Sequence, residues 1–232
     1  MPYTRSCSQE AVDTLKKLSQ LYSPEHINWR YDPILMSQET DYNFHIQNFS
    51  DLASKFKGHV KRCYFSFPIF YNKVKKQFSS FEEKHRITIL DPDEEKKIKL
   101  ANDLSDIALS NGIRMYTCCG NYLINENIYK ASCIDGDVIA ELFFKDSPGF
   151  KKRATRKNCG CAESTDIGKY DTCPHGCIYC YANLNKEKAT QAFKNHKPEC
   201  CFLGYPKEQC DDWLKEIKDT LPSDNGQMSF WE

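Results

Sequence analysis

The chain has 232 residues, of which 32 are basic and 32 are acidic, so its formal net charge is zero. Its 40% of apolar and 13% of aromatic residues are typical of a globular protein and exclude a disordered chain. A balanced charge gives no overall attraction to nucleic acid or to anionic membranes, so any such binding requires a local basic patch.

The N-terminal sequence MPYTRSCSQEAVDTL lacks the apolar segment of a signal peptide, and no run of about 18 apolar residues predicts a transmembrane helix. We therefore expect a cytoplasmic protein with no membrane partner. Thiols stay reduced in the cytoplasm, yet the chain has 13 cysteines. Because an odd number cannot form a complete set of disulfides, this excess predicts metal-binding or catalytic thiols.

The hydrophobic pattern predicts helices that alternate with strands up to Phe144. A helix at 9–22, capped by Ser8, precedes a strand in HINWRYDPI that ends at Pro33. Asp91 is expected to cap a helix that begins at Pro92 and runs to about 110. Further helices are predicted at 41–57, 71–78 and in DGDVIAELF, and further strands in VKRCYFSF, IRMYTC and, less clearly, RITIL. After Phe144 the pattern indicates a polar loop region that contains cysteines.

This alternation is typical of βα units around a parallel sheet. A closed barrel of eight strands needs roughly 250 residues, so three clear strands and one doubtful strand predict about half of a barrel. We therefore expect an α/β protein. A partial βα barrel, similar to half of a TIM barrel, would occupy residues 1–144, and a cysteine-rich, iron–sulfur-binding region would occupy residues 145–232.

Three cysteines lie close together in DTCPHGCIYCYAN, residues 171–183. Cys173, Cys177 and Cys180 have the spacing C-x3-C-x2-C, and Gly176 allows the backbone between them to turn back. Zinc sites usually have four ligands, commonly from two separated pairs, whereas three thiolates leave one position open for another ligand. The spacing therefore favours an iron–sulfur cluster over three structural thiols.

With Tyr179 directly before the third cysteine, this loop resembles that of the radical S-adenosylmethionine (radical SAM) enzymes. The resemblance implies that Cys173, Cys177 and Cys180 hold a [4Fe–4S] cluster, that S-adenosylmethionine chelates the open iron, and that Tyr179 lies against the adenine. It further implies that one electron, supplied by ferredoxin or flavodoxin, breaks a carbon–sulfur bond of the cofactor. The resulting 5′-deoxyadenosyl radical would take hydrogen from a substrate that the sequence does not identify.

The loop lies near the C-terminal end of the chain, whereas radical SAM enzymes usually place it after their first strand. In this respect the chain resembles the uncharacterised microbial family DUF1848. The similar features are WRYDPI (29–34), CIDG (133–136), CGC (159–161), DIGKYDTCPHGCIYCYAN (166–183) and a tail ending in QMSFW. Members of that family continue N-terminally with further βα units, so the resemblance implies a truncated or split chain that needs a missing N-terminal half.

Other cysteines form a second candidate set. Four of them match cysteine positions of that family, and four thiols make a complete tetrahedral set for zinc or for a second iron–sulfur cluster. The alternative is that Cys118 and Cys133 are packing residues. Cys63, in an apolar strand, is expected in the core, and the remaining cysteines are taken as structural or incidental. The second candidate set is Cys118, Cys133, Cys159 and Cys161.

Arg30 and Asp32 stand at the end of the first predicted strand, where α/β barrels place active-site residues. Arg30 is suited to bind a carboxylate or a phosphate, and Asp32 to bind a ribose hydroxyl or to accept a proton. We therefore predict them as catalytic residues. The alternative is a simple ion pair at the sheet edge.

Two further segments suggest partners. The basic segment KKRATRK, residues 151–157, favours binding of phosphate or nucleic acid, although a solvated loop commonly explains such a run. The tail QMSFW resembles the peptide by which replication proteins bind the sliding clamp, and the alternative is a tail folded on the core. Two other functions therefore stay open: a non-enzymatic zinc-binding module that contacts nucleic acid, and an inactive fragment of a split enzyme.

Overall fold

A computed structural model of the chain describes residues 5–144, 149–154 and 158–198, together with residues 203, 205 and 207–220. These residues form an α/β protein with seven α-helices and a parallel sheet of four strands. The chain divides into two compact units, one up to Thr165 and one from Asp166 on. The domain boundary expected between residues 144 and 145 stays a prediction.

The first unit alternates helices with strands, as the hydrophobic pattern predicts. Short 3-10 helices at Pro24–His26 and Asn121–Leu123 add to this order. The main elements are α1 (Arg5–Leu21), β1 (Asn28–Tyr31), β2 (Met36–Ser37), α2 (Tyr42–Phe56), β3 (Arg62–Phe65), α3 (Asn72–His85), β4 (Ile89–Leu90), α4 (Glu94–Ser110), β5 (Arg114–Thr117), β6 (Ile128–Lys130) and α5 (Gly136–Phe143).

The main sheet has the strand order β1-β3-β5-β6, and each neighbouring pair is parallel. Helices α2 and α4 lie in the connections between the first three strands. By contrast, β5 and β6 are joined by residues 118–127, in which the described structure has only the 3-10 helix Asn121–Leu123. Because all four strands run in one direction, their carboxyl ends lie along one edge of the sheet.

One face of the sheet packs against helices and forms the core. Alternate strand residues point to that face, among them Trp29, Cys63 and Met115, which are buried. Trp29 stacks on Phe49 of α2 with ring centroids 4.7 Å apart. The burial of Cys63 is that expected for a packing thiol.

The opposite face carries a row of tyrosines in register across three strands. The ring centroids of Tyr64 and Tyr116 lie 5.4 Å apart, and those of Tyr116 and Tyr129 lie 5.6 Å apart. Tyr64 is 1% exposed, and burial raises its pKa to about 12. Its buried hydroxyl has no hydrogen-bond partner within the described part of the chain. Beyond Tyr64 the row ends at Arg30 of β1.

Two predicted helix starts are wrong. Helix α1 begins at Arg5, so Ser8 lies inside the helix and not at its start. Helix α4 is capped by Asp93, whose carboxylate accepts a hydrogen bond from the Lys96 N–H at 2.9 Å, and not by Asp91. The capping residue therefore comes after Pro92, whereas the prediction placed it before Pro92.

Two predicted strands also need correction. The doubtful strand in RITIL exists as β4, but it pairs with β2 in a separate antiparallel sheet. The fourth strand of the main sheet is β6, which the pattern did not predict. Only Ile128 of its three residues is buried, so the strand shows no alternation that could reveal it.

The second unit contains the remaining two helices, α6 (Lys186–Asn195) and α7 (Lys207–Thr220), where the sequence predicted a loop. Asn185 caps α6 by accepting a hydrogen bond from the Lys188 N–H at 2.9 Å. In the described residues of both units, no helix combines the length and the apolarity that a membrane span requires.

Candidate functional site

The carboxyl edge of the sheet brings several predicted site residues together in the first unit. Arg30 lies in β1, Cys118 follows β5 directly, and Cys133 follows β6 by three residues. Parallel strands end at the same edge, so side chains from distant segments meet there. The Sγ atoms of Cys118 and Cys133 lie 3.7 Å apart.

Arg30 connects this pair of thiols to Asp32. Its Nη1 lies 3.7 Å from the Sγ atom of Cys133, and its Nη2 forms an ion pair with the Asp32 carboxylate. The Ser66 hydroxyl donates a hydrogen bond to the other oxygen of that carboxylate. Asp32 is therefore held from two sides, whereas the side chain of Arg30 is 46% exposed and accessible to a ligand. The catalytic roles of Arg30 and Asp32 stay a prediction.

The contacts at this edge shift two pKa values. Burial acts to lower the pKa of Arg30, but the hydrogen bonds with Cys133 and Asp32 outweigh it and the pKa is raised. The hydrogen bond with Cys118, followed by burial, raises the pKa of Cys133, and Arg30 opposes this rise only in part. Cys133 is therefore a protonated thiol at neutral pH in this arrangement.

The CGC segment lies against the same thiols. Cys161 is buried, and its Sγ atom accepts a hydrogen bond from the Cys133 N–H at 3.2 Å. Burial raises the pKa of Cys161, and a hydrogen bond with the Cys159 thiol adds to the rise. A Cβ atom on Gly160 would lie 2.9 Å from the Oγ atom of Ser132, so a larger residue there would displace the Ser132 hydroxyl.

The structure thus brings the four cysteines of the second candidate set into one cluster, which we call the strand-edge thiols: Cys118, Cys133, Cys159 and Cys161. Cys119, which the sequence analysis set aside, lies next to them, with its Sγ atom 3.9 Å from that of Cys118. Cys119 directly follows Cys118 in the sequence, and this adjacency could have indicated that Cys119 lies near the second candidate set. Among the described residues, no three His, Cys, Asp or Glu side chains are arranged around a common point as metal ligands would be.

The second unit contains the other predicted set, on a loop whose ends are tied together. Asp171 has a left-handed backbone with φ of 56°. Its carboxylate accepts hydrogen bonds from the N–H groups of Leu184 at 2.5 Å and Asn185 at 2.9 Å. Its own N–H donates to the carbonyl of Ala182 at 3.2 Å. Residues 172–183 therefore form a closed loop, here called the cysteine loop.

Asn183 contacts two of the three loop cysteines. Its side-chain Nδ2 donates to the carbonyl of Cys173 at 2.5 Å, and its backbone N–H donates to the Sγ atom of Cys180 at 3.3 Å. The turn between the cysteines is closed by the hydrogen bond from the Cys180 N–H to the Cys177 carbonyl at 3.2 Å. Gly176 adopts a left-handed φ of 66° in this turn, as its position predicted.

The loop cysteines are free thiols that solvent can reach. Cys173 and Cys177 are exposed, and Cys180 is half-buried. The Nδ1 atom of His175 lies 3.8 Å from the Sγ atom of Cys173. Tyr179 is half-buried, and its contact with an adenine stays a prediction. Sequence reasoning missed Asp171 and Asn183, although Asp and Asn residues are common where loops close and helices begin.

Several other predicted features lie partly or wholly outside the described residues. In the basic segment 151–157, Arg153 forms an ion pair with Glu163 at 2.8 Å, and residues 155–157 are not described. The tail QMSFW, Cys200 and Cys201 also lie outside the described residues, as does the side chain of Cys7. Cys210 forms a disulfide bond.

Residues 3–182 match a family model whose description is Domain of unknown function (DUF1848). The chain belongs to this family. The match to DUF1848 includes both candidate cysteine sets as well as Arg30 and Asp32, so the family prediction is confirmed over most of the 232 residues. No curated protein and no solved structure matches the chain.

Proposed function

We propose that this DUF1848 protein is an iron–sulfur protein of the radical SAM type. Cys173, Cys177 and Cys180 would bind a [4Fe–4S] cluster with one iron left for S-adenosylmethionine. When bound, the cluster supplies the electron that cleaves this cofactor. The observation that carries the proposal is the cysteine loop itself, in which three free thiols with C-x3-C-x2-C spacing lie on a backbone closed at both ends.

The residues of the loop fit such a cluster by their chemistry. Three thiols are the donors that iron–sulfur clusters require, and the exposure of Cys173 and Cys177 allows their side chains to rotate toward one point. The N–H group of Asn183 already donates to the Sγ atom of Cys180, and hydrogen bonds to ligand sulfur atoms help to set the potential of a cluster. Gly176 leaves open space beside the turn.

The fold of the first unit supports the same proposal. Its parallel sheet is of the kind that a partial βα barrel would contain, and enzymes with such sheets bind substrates at the carboxyl edge. Arg30 lies at this edge with a half-exposed side chain, so we propose that it binds an anionic group of the substrate. Asp32 then orients Arg30 through their ion pair.

The test is anaerobic reconstitution of the full chain with iron and sulfide. We expect about four iron and four sulfide ions on the cysteine loop, and release of 5′-deoxyadenosine from S-adenosylmethionine after reduction by dithionite or by reduced flavodoxin. Cys177→Ser should abolish this release. Cys119→Ser, which removes a half-buried thiol outside the loop, is the matched control and should retain it. Protein that binds no iron, or release that persists in Cys177→Ser, would contradict the proposal.

A further inference from the structure

We infer that the strand-edge thiols form a second metal site, which holds a single zinc ion in tetrahedral thiolate coordination. Its four ligands are Cys118, Cys133, Cys159 and Cys161. This site does not depend on the iron–sulfur chemistry proposed for the cysteine loop, because the two sets share no ligand.

The distance between the sulfur atoms of Cys118 and Cys133 is compatible with two ligands of one ion. In a tetrahedral site with metal–sulfur bonds of about 2.3 Å, neighbouring sulfur atoms lie about 3.8 Å apart. The Sγ atoms of Cys118 and Cys133 lie 3.7 Å apart, which is close to this edge length. A disulfide would require about 2.05 Å. Cysteines of a cubane cluster bind different iron atoms, so their sulfur atoms lie farther apart than the edge of one tetrahedron.

The CGC segment supplies the other two ligands. The Sγ atom of Cys161 lies 3.2 Å from the backbone nitrogen of Cys133, and the Cys159 thiol is hydrogen-bonded to Cys161. Gly160 packs against Ser132, whose hydroxyl donates to the Gly160 carbonyl at 2.9 Å. The backbone of CGC therefore lies beside one ligand, and zinc binding would require the side chains of Cys159 and Cys161 to rotate toward Cys118 and Cys133.

The surroundings suit a site of this charge. Four thiolates on one Zn²⁺ carry a net charge of −2, and a partly buried anion needs a cation or hydrogen-bond donors nearby. Arg30, which is also paired with Asp32, contributes positive charge, with its Nη1 3.7 Å from the Sγ atom of Cys133, and the Cys133 N–H provides a donor to Cys161. A site closed by four protein thiolates has no open position, so its role is structural: it joins the ends of β5 and β6 to residues 158–162.

The test uses the full chain with the loop thiols removed, as Cys173→Ser, Cys177→Ser and Cys180→Ser combined. Purified without added metal, this variant should contain about one zinc per chain by elemental analysis. Its zinc-edge X-ray absorption should fit four sulfur atoms at about 2.3 Å. Folded protein without zinc, or zinc with nitrogen and oxygen ligands, would overturn the inference.

Single variants in the same background identify the ligands. Cys133→Ser and Cys159→Ser should lower the zinc content at least threefold, whereas Cys119→Ser should leave it unchanged. Loss of zinc in Cys119→Ser but not in Cys159→Ser would overturn the assignment of Cys159. Where a ligand variant fails to fold, the zinc-edge X-ray absorption of the protein with all four strand-edge thiols decides whether four sulfur atoms bind the zinc. Failure of the iron–sulfur proposal is distinguishable, because it appears as missing iron in the wild-type chain while zinc is unaffected.

Discussion

Asp171 and Asn183 close the cysteine loop, although neither has the chemistry of a cluster ligand. Their importance could not be predicted from the sequence, because it arises from contacts between residues ten or more positions apart. The cysteines themselves were predictable from their type and spacing. A sequence pattern thus identifies candidate ligands more easily than the side chains that fix the backbone around them.

Replacing Asp171 should loosen the loop. Asp171→Ala removes the acceptor for two backbone N–H groups and places alanine at a φ of 56°, where a β-carbon is unfavourable. We expect a loss of about 2 kcal/mol in local stability, so that the amides of Leu184 and Asn185 exchange hydrogen about 30-fold faster. Asp171→Asn keeps an acceptor oxygen and tolerates this backbone, so it should exchange nearly as slowly as the wild type. Equal exchange in all three proteins would contradict this role.

Tyr64 makes the protein sensitive to alkaline pH. Its pKa is raised to about 12 by burial, above the ordinary value of 10.0. The unfolded chain therefore loses this proton before the folded chain does, and the contribution to stability present below pH 10 falls as the pH rises toward 12.

Tyr64→Phe should remove this sensitivity. It also deletes a buried hydroxyl without a described partner, so we expect the free energy of unfolding to rise by about 1 kcal/mol at pH 8 and by more at pH 11. Urea denaturation at both pH values measures the change. Tyr129→Phe, on the exposed end of the same row, should change stability little. A larger effect at position 129 than at position 64 would refute this account.

Local sequence patterns are enough to predict some of the helices and strands, but not all of them. The apolar stripe of α2 and the glycine that follows it predicted the bounds of this helix to within one residue. Strand β6 escaped prediction because it is three residues long and is defined by pairing with β5, which is a tertiary contact. The start of α4 was misplaced because two aspartates flank Pro92 and only the backbone shows which of them caps.

The cap of α4 can be tested directly. Asp93→Ala removes the acceptor for the Lys96 N–H and should cost about 1 kcal/mol in the free energy of unfolding. Asp91→Ala removes only an ion pair between a half-exposed carboxylate and Lys97, so it should cost less than Asp93→Ala. Chemical denaturation of the two variants measures both costs, and the reverse order would restore Asp91 as the cap.

On the scale of the whole molecule, the division into two units separates the two sets of cysteines. The strand-edge thiols all precede Thr165, and the loop thiols all follow it. The sequence indicated a change of character after Phe144, where the hydrophobic periodicity ends, but periodicity does not report that CGC returns to the sheet edge. This return depends on long-range contacts, such as the hydrogen bond from the Ala162 N–H to the Ile134 carbonyl at 2.9 Å.

Two fragments of the chain, residues 1–165 and residues 1–144, distinguish the observed boundary at Thr165 from the predicted boundary after Phe144. Residues 1–165 contain all four strand-edge thiols, so this fragment should show the circular dichroism of an α/β fold and bind about one zinc ion. Residues 1–144 lack Cys159 and Cys161 and should bind zinc at least tenfold more weakly. Equal zinc affinity of the two fragments would argue against the contribution of CGC.

The short connection between β5 and β6 has an evolutionary consequence. Parallel neighbours usually need a crossover of a dozen or more residues, whereas here ten residues make the link. The distance between Cys118 and Cys133 nevertheless follows from the register of the two strands, in which Thr117 pairs with Lys130, and not from the length of this connection. Relatives in which this connection has gained residues but the register of β5 and β6 is the same should therefore keep both cysteines.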